Sequence, residues 1–227
     1  MRLAALFSGG KDSTYAVHLS EAMGHEVAYL LTMLPLRDDS WMYHTVNIGV
    51  APMLAEAMSL ESRAVETSGE KEEELEDLKE ALKGLDIEGL ITGAIASSYQ
   101  RSRIDGICKQ LGLTHVAPLW GRESYALLHE MLDRGMTIMV TAVAAMGLDE
   151  SWLGRVLDPG AAEELKRLGD RFGVDVCGEG GEMETLVLDA PWFRSSLEIV
   201  GARPEWDGTR GSYVIQEARL HPKEGDA

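Results

Sequence analysis

Leu3 to Phe7 is a short apolar run, and Ser8-Gly9-Gly10-Lys11-Asp12-Ser13 follows it directly. Beyond that turn, Ala16, Leu19 and Met23 recur at helical spacing, and Gly24 closes the stretch. A buried strand that feeds a helix through a glycine-rich turn is the opening unit of a parallel sheet, whose neighbouring strands need helical crossovers. The next hundred residues keep that rhythm. Val27 to Leu31 is a continuous apolar run, as expected of a strand covered on both faces. Val50, Met53, Leu54 and Ala57 form a helical stripe, and Ser62 to Glu66 reads as a strand. Glu72 to Leu82 reads as a helix with Leu75, Leu78 and Leu82 inward, and Gly89 to Ile95 as a strand. Ile104, Ile107, Cys108 and Leu111 mark a helix closed by Gly112, and His115 to Ala117 a short strand. Alternation of this kind predicts an α/β fold with helices on both faces of a parallel sheet. Ligands of such sheets bind beyond the carboxyl ends of the strands, where the first turn lies.

The rhythm changes after about residue 135. Thr137 to Ala144 is β-prone, and Asp158-Pro159 is an N-cap followed by proline at the first helical position. Leu165, Leu168 and Phe172 make a stripe ended by Gly173. Ser195 to Ala202 and Ser212 to Leu220 read as strands, with a turn near Asp207-Gly208. The expected organisation is an α/β domain over 1–134 and a smaller α+β domain over 135–227, with only His221 to Ala227 loose.

Composition excludes several classes. The chain has 227 residues, of which 45% are apolar, too many for wholesale disorder. Its net charge of −17 argues against a binder of long nucleic acid and against an anionic membrane surface. Met136 to Leu148, the longest apolar region, is too short to span a bilayer, and the N-terminal run is too short for a signal peptide. Cys108 and Cys177 form neither a C-x-x-C pair nor a zinc set, which suits a reducing cytoplasm. Gly69 to Glu80 holds seven acids against Lys71 and Lys79, but leucines at helical spacing make it a solvated helix face.

The Ser8–Ser13 turn suits a polyphosphate. Its glycines let the backbone curl around an anion, the helix N-terminus adds its positive dipole end, and Lys11 adds a full charge. Ser8 and Ser13 supply hydroxyl donors. It is not a Walker loop: Ala5 stands where that pattern needs glycine, and Asp12 where it needs Ser or Thr. The S-G-G-K-D-S sequence instead resembles the pyrophosphate (PP) loop of the N-type ATP pyrophosphatases, which include GMP, asparagine and NAD synthetases and tRNA-modifying enzymes. The resemblance implies a Rossmann-like sheet of the adenine nucleotide alpha hydrolase type. It implies ATP as co-substrate, cleaved to AMP and pyrophosphate, and Mg²⁺ held near the pyrophosphate by Asp12.

Three further segments narrow the choice: Gly93 to Asp105, with Tyr99, Arg101 and Arg103; Gly147-Leu148-Asp149-Glu150-Ser151-Trp152-Leu153-Gly154-Arg155; and Gly178-Glu179-Gly180-Gly181-Glu182-Met183-Glu184-Thr185. With Ser40 to His44 and Pro118-Leu119-Trp120, they resemble the diphthine–ammonia ligase family over nearly the whole chain, in the short form of its archaeal members. The resemblance implies amidation of the diphthine carboxylate on translation elongation factor 2 by ammonium, through an acyl-adenylate, in the last step of diphthamide synthesis. Lys11 and Asp12 are then catalytic. Ser8, Gly9, Gly10, Ser13, Arg101 and Arg103 bind ATP, the arginines by neutralising phosphate oxygens.

Read from its residues, the third segment is not a second phosphate cradle, because Glu179, Glu182 and Glu184 repel anions. Carboxylates in a glycine-rich turn suit a cation, here the trimethylammonium of diphthine or ammonium itself. A carboxylate can also take the proton from ammonium, which makes Glu182 and Glu184 catalytic candidates. Gly180 and Gly181 allow close approach, and His44 and Tyr99 are further candidate substrate contacts. Trp41, Tyr43, Trp120 and Trp152 offer faces for a quaternary ammonium, although core packing is the commoner role of any one of them. Cys108, on an apolar helical face, and Cys177 do not form the reactive pair that a sulfur-transferring relative needs. The competing readings are another ATP-dependent ligase of the superfamily, a tRNA-modifying enzyme, and a non-catalytic nucleotide sensor. The oligomeric state stays open, a homo-oligomer included.

Overall fold

A computed structural model describes residues 1–36, 46–68 and 73–223. The described chain separates into two compact units, one of Met1–Glu56 with Leu60–Trp120, the other of Ala57–Ser59 with Gly121 onward.

The first unit alternates strand and helix: β1 (Arg2–Leu6), α1 (Lys11–Ala22), β2 (Glu26–Pro35), α2 (Ala51–Ala57, whose last residue belongs to the other unit), β3 (Glu61–Thr67), α3 (Glu73–Lys83), β4 (Gly89–Ile91), α4 (Ser98–Leu111) and β5 (Thr114–Val116). The strands form one sheet of order β3-β2-β1-β4-β5, and every pairing is parallel. The parallel α/β architecture expected from the apolar runs is therefore present. The order reverses between β1 and β4, whose outgoing connections run to β2 on one side and to β5 on the other, and ligands of such sheets bind at that point, beyond the carboxyl end of β1. The Ser8–Ser13 turn begins there.

Leu3, Ala4 and Ala5 are fully buried, as a central strand covered on both faces requires. One core cluster joins Ala4, Leu31, Met33 and Leu90 of the sheet to Leu78 and Leu82 of α3 and Ile104, Ile107 and Cys108 of α4. The inward leucines of the acidic helix thus do what their spacing predicts. The helix α1 differs from expectation. It buries Tyr15, Ala16, Val17 and Ser20, whereas Met23 is 58% exposed. The Ser20 hydroxyl donates to the Ala16 carbonyl at 2.8 Å, which satisfies it inside the core and lets a polar residue occupy the stripe.

The second unit contains α5 (Ser124–Asp133), β6 (Thr137–Val143), α6 (Pro159–Phe172), β7 (Met183–Asp189), β8 (Ser195–Trp206) and β9 (Gly211–Pro222). Its strands form an antiparallel sheet of order β7-β6-β9-β8. The division falls after Trp120, against the 134/135 boundary expected from the sequence, and α5 is the element that changes sides because it packs on α6. Asp158 caps α6 by accepting the Ala161 N–H at 2.7 Å, Pro159 opens it, and Gly173 ends it at φ +78°. The β8–β9 hairpin is longer than its apolar runs suggested. Its turn is fixed by Asp207, whose Oδ1 accepts the N–H groups of Thr209 and Arg210, both at 2.9 Å. Those bonds hold the Asp207 carboxyl well below the usual carboxylate range. Among the described residues no helix is long and apolar enough to cross a membrane.

Candidate active site

The Ser8–Ser13 turn connects β1 to α1. Gly9 adopts φ +78°, the left-handed turn that reverses the chain. Gly10 is the N-cap of α1, and no side chain caps the helix among the described residues, so the positive end of the helix dipole faces the loop. Ser8 and Ser13 brace the loop: their hydroxyls lie 3.3 Å apart, the Ser13 hydroxyl donates to the Gly10 carbonyl at 3.1 Å, and the Gly10 N–H donates to Ser8 Oγ at 3.3 Å. From β2, the Thr32 hydroxyl donates to the Phe7 carbonyl at 2.9 Å and secures the strand end that launches the loop.

Lys11 is almost wholly buried and donates its ammonium to Asp12 Oδ2 at 2.8 Å. Asp12 Oδ1 is buried and has no hydrogen-bond partner among the described residues. A buried carboxylate oxygen with open lone pairs fits a hard cation such as Mg²⁺, which binds through one or two carboxylates and substrate phosphates. Among the described residues no cluster of three or more His, Cys, Asp or Glu forms a protein-only metal cage.

Gly93 has a role that its place in the sequence does not announce. A Cβ there would lie 2.7 Å from both the Asp12 carbonyl carbon and the Ser13 nitrogen. The chain leaving β4 therefore presses on the first turn of α1, and only glycine permits it. From Gly93 the segment runs to Ser97, which caps α4 by accepting the Gln100 N–H at 3.4 Å. The Arg101 guanidinium stacks 4.2 Å over the Trp120 ring and pairs with Asp105 at 3.7 Å. Arg103 lies 3.5 Å over the Tyr99 ring, and its buried Nε has no hydrogen-bond partner among the described residues. Asp105 also accepts from His115 Nδ1 at 2.6 Å, and His115 Nε2 meets the Thr92 hydroxyl at 2.8 Å. Thr92, Asp105 and His115 thus tie α4 to the ends of β4 and β5, a link that no local spacing announces. His44, with Trp41 and Tyr43, lies outside the described residues.

In the second unit the Gly147–Arg155 segment is built largely for packing. Trp152 is 2% exposed and lies under the Arg155 guanidinium, 4.2 Å from its ring centroid. A Cβ on Gly147 would strike the Phe172 ring at 2.7 Å. The chain then bonds to β6 through Val140 and Arg155.

The Gly178–Thr185 segment is part turn and part strand. Gly178 and Gly181 have positive φ, and a Cβ on Gly178 would lie 2.5 Å from the Met183 carbonyl oxygen. From Met183 the chain is β7, where Glu184 points to the face opposite buried Met183 and Thr185. The Glu182 carboxylate accepts the Gly180 N–H at 2.7 Å and the Asp175 N–H at 3.3 Å. It is therefore held in one orientation, with lone pairs to spare for a further donor. Glu179, Glu182 and Glu184 are all half-buried.

The chain matches two family models in tandem, the diphthamide synthase N-terminal domain over residues 1–115 and the diphthamide synthase C-terminal domain over residues 123–220. The chain belongs to the diphthamide synthase family. Human diphthine–ammonia ligase is 41% identical over 223 residues, covering 88% of this chain and 83% of the human protein. The enzyme of the same name from Schizosaccharomyces pombe is 36% identical over 219 residues, covering 88% of this chain and 36% of its own length. Among solved structures, a predicted tRNA methyltransferase subunit from Methanocaldococcus jannaschii covers 84% of this chain and 98% of its own at 15% identity, with a TM-score of 0.46. The two family models meet between residues 115 and 123, around the point where the chain passes from one unit to the other.

Proposed function

We propose that this member of the diphthamide synthase family is an ATP-dependent ligase that amidates the diphthine carboxylate of translation elongation factor 2 with ammonium. The observation that carries the ATP half is the PP-loop, an uncapped helix N-terminus behind two glycines with a buried lysine at its first position. That arrangement suits the phosphates of a nucleotide. The acceptor half rests on the diphthine–ammonia ligase relatives and on three carboxylates in the Gly178–Thr185 segment.

A carboxylate is a poor electrophile because its oxygen leaves badly. In the proposed reaction the diphthine carboxylate oxygen attacks the α-phosphorus, the bond from that phosphorus to the β-phosphate oxygen breaks, and pyrophosphate leaves. Ammonium gives up one proton, the ammonia adds to the acyl carbon, and the adduct loses a second proton as AMP departs, both protons passing to a carboxylate or to water. Asp12 would hold Mg²⁺ through its second carboxylate oxygen, and the cation would neutralise charge at the phosphates. Lys11 and the α1 N–H groups hold the pyrophosphate as negative charge builds on it, and Ser8 and Ser13 keep the loop in shape. Asp12 orients Lys11 through one carboxylate oxygen and presents the other to the cation. Arg101 and Arg103 are the further ATP contacts in this reading. In the second unit, Glu179, Glu182 and Glu184, with Gly180 and Gly181, are the contacts for the cationic acceptor in this reading, and Glu182 or Glu184 takes the proton; Tyr99 and His44 are the first unit's own candidate substrate contacts.

The test combines the purified protein, Mg-ATP, ammonium and elongation factor carrying diphthine. Mass spectrometry is expected to show the acid converted to the amide, with AMP and pyrophosphate in equal amounts. Release of neither product would leave a nucleotide sensor, and release of both without amide would point to a different carboxylate substrate.

A further inference from the structure

The turn that carries Glu179 and leads to Glu182 is held by a residue outside the motif. Asp175 lies just beyond α6, two residues past Gly173. Its Oδ1 accepts the N–H groups of Cys177 at 2.8 Å and Glu179 at 3.3 Å. Its Oδ2 accepts the Ser124 hydroxyl, from the start of α5, at 2.8 Å. The Asp175 N–H goes to Glu182 Oε1, and the Gly180 N–H to Glu182 Oε2. Asp175 and Glu182 therefore grip the turn from opposite ends, each accepting two of its backbone N–H groups. The Cys177 thiol adds a bond to the Ser124 carbonyl at 3.3 Å, and the Gly181 N–H closes on the Gly178 carbonyl at 3.0 Å.

We infer that Asp175, anchored by Ser124, is a positioning residue that sets the orientation of Glu179 and Glu182 toward the cationic acceptor. The inference rests on the proposed amidation, and it adds a residue that touches neither substrate. What Asp175 contributes is two acceptor lone pairs for N–H donors and one for a hydroxyl. Asparagine supplies the first two through its Oδ1 and turns its amide N–H₂ toward the Ser124 oxygen. Alanine supplies none. The role thus depends on shape and acceptor placement rather than on negative charge.

The experiment compares Asp175→Ala, Asp175→Asn and Ser124→Ala with the parent protein. Asp175→Ala is expected to lower kcat/KM for ammonium and for the diphthine-bearing acceptor by about 10²-fold, the cost of roughly 1 Å of misplacement. Its affinity for Mg-ATP should stay within about twofold, because the Asp175 carboxylate bonds Ser124, Cys177 and Glu179 and no residue of the Ser8–Ser13 turn. Asp175→Asn is expected to stay within about threefold of the parent, and Ser124→Ala to fall between the two. Amide hydrogen exchange at Cys177, Glu179 and Gly180 is read in parallel, since it needs no turnover. Protection should be lost in Asp175→Ala and kept in Asp175→Asn. Equal impairment of the Ala and Asn variants would overturn the inference, because charge would then be what matters. So would unchanged exchange in Asp175→Ala. If Asp175→Ala does not fold, Ser124→Ala carries the test, and full activity with unaltered exchange there would also overturn it. A parent protein that forms no amide, yet shows the expected exchange pattern, would sink the proposed function while sparing the brace.

Discussion

Lys11 Nζ stands 2.8 Å from Asp12 Oδ2, so the cation and the carboxylate of the PP-loop are adjacent in sequence and bonded in space. Each restrains the other: the lysine is 1% exposed and its charge is matched by its neighbour. Lys11→Ala is expected to lower kcat by about 10²–10³-fold through loss of charge stabilisation at the pyrophosphate. Asp12→Asn, which keeps the shape and removes the charge, should weaken the dependence of the rate on Mg²⁺ concentration. Pyrophosphate-release assays across a Mg²⁺ titration check both, and near-parent rates in the two variants would remove the loop from the mechanism.

Gly93 offers a test that touches no charge. Its added methyl in Gly93→Ala would press on the Asp12–Ser13 peptide from 2.7 Å. Overpacking of this kind costs about 1–3 kcal/mol and displaces the first turn of α1. The expected result is a higher KM for ATP with an unchanged KM for ammonium. An equal rise in both would mean that the damage spreads beyond the loop.

Cys108 should be inert in the folded protein. Burial, with Asp105 adding a smaller contribution, pushes its thiol up from 9.0 to about 11. A raised folded-state value favours the neutral thiol, so its contribution to stability is complete below pH 9.0 and fades as pH rises through about 11. Peptide-level mass spectrometry after alkylation at pH 8 is expected to find Cys108 unlabelled until denaturant is added. Rapid native labelling would mean that α4 opens readily.

Acid tests the β8–β9 hairpin. Arg219, and then His221, draw the Glu198 carboxyl down from 4.5 to about 2 across the strand pair. A depressed carboxyl stabilises the fold above its ordinary value and loses that contribution as pH falls toward about 2. The melting temperature of Glu198→Gln should therefore lie slightly below that of the parent at pH 6 and converge with it on acidification below pH 4.5. The groups are exposed, so the difference is small and shrinks with salt. A gap that persists at pH 2 would assign it to packing.

The parallel sheet was legible because strands covered on both faces write themselves as apolar runs, as Leu3 to Phe7 and Val27 to Leu31 do. The PP-loop was legible because its residues are contiguous. Two elements escaped notice. In α5, Leu127, Leu128 and Met131 carry a helical spacing, but the helix is capped by Glu123, a residue outside the usual Ser, Thr, Asp, Asn and Gly caps, so its start carries no ordinary signal. In β7, the acidic motif overlaps the strand, so Glu184 reads as part of a turn although Leu186-Val187-Leu188 continues it as a strand. The hairpin was underestimated where Pro204 and Glu205 interrupt the pattern, because a proline is compatible with an edge strand such as β8. Thr92, Asp105, His115 and Asp175 depend on partners ten or more residues away or on one half of a distant turn, and only folding brings those together.

The turn gripped by Asp175 and Glu182 has a thermodynamic consequence. Ordering backbone costs about 1–2 kcal/mol per residue at 25 °C, and here that entropy is surrendered during folding rather than at the encounter with a ligand. A cationic acceptor thus meets carboxylates whose backbone is already immobile, and its binding carries little of the entropic penalty, or of the heat-capacity change, that accompanies coupled ordering.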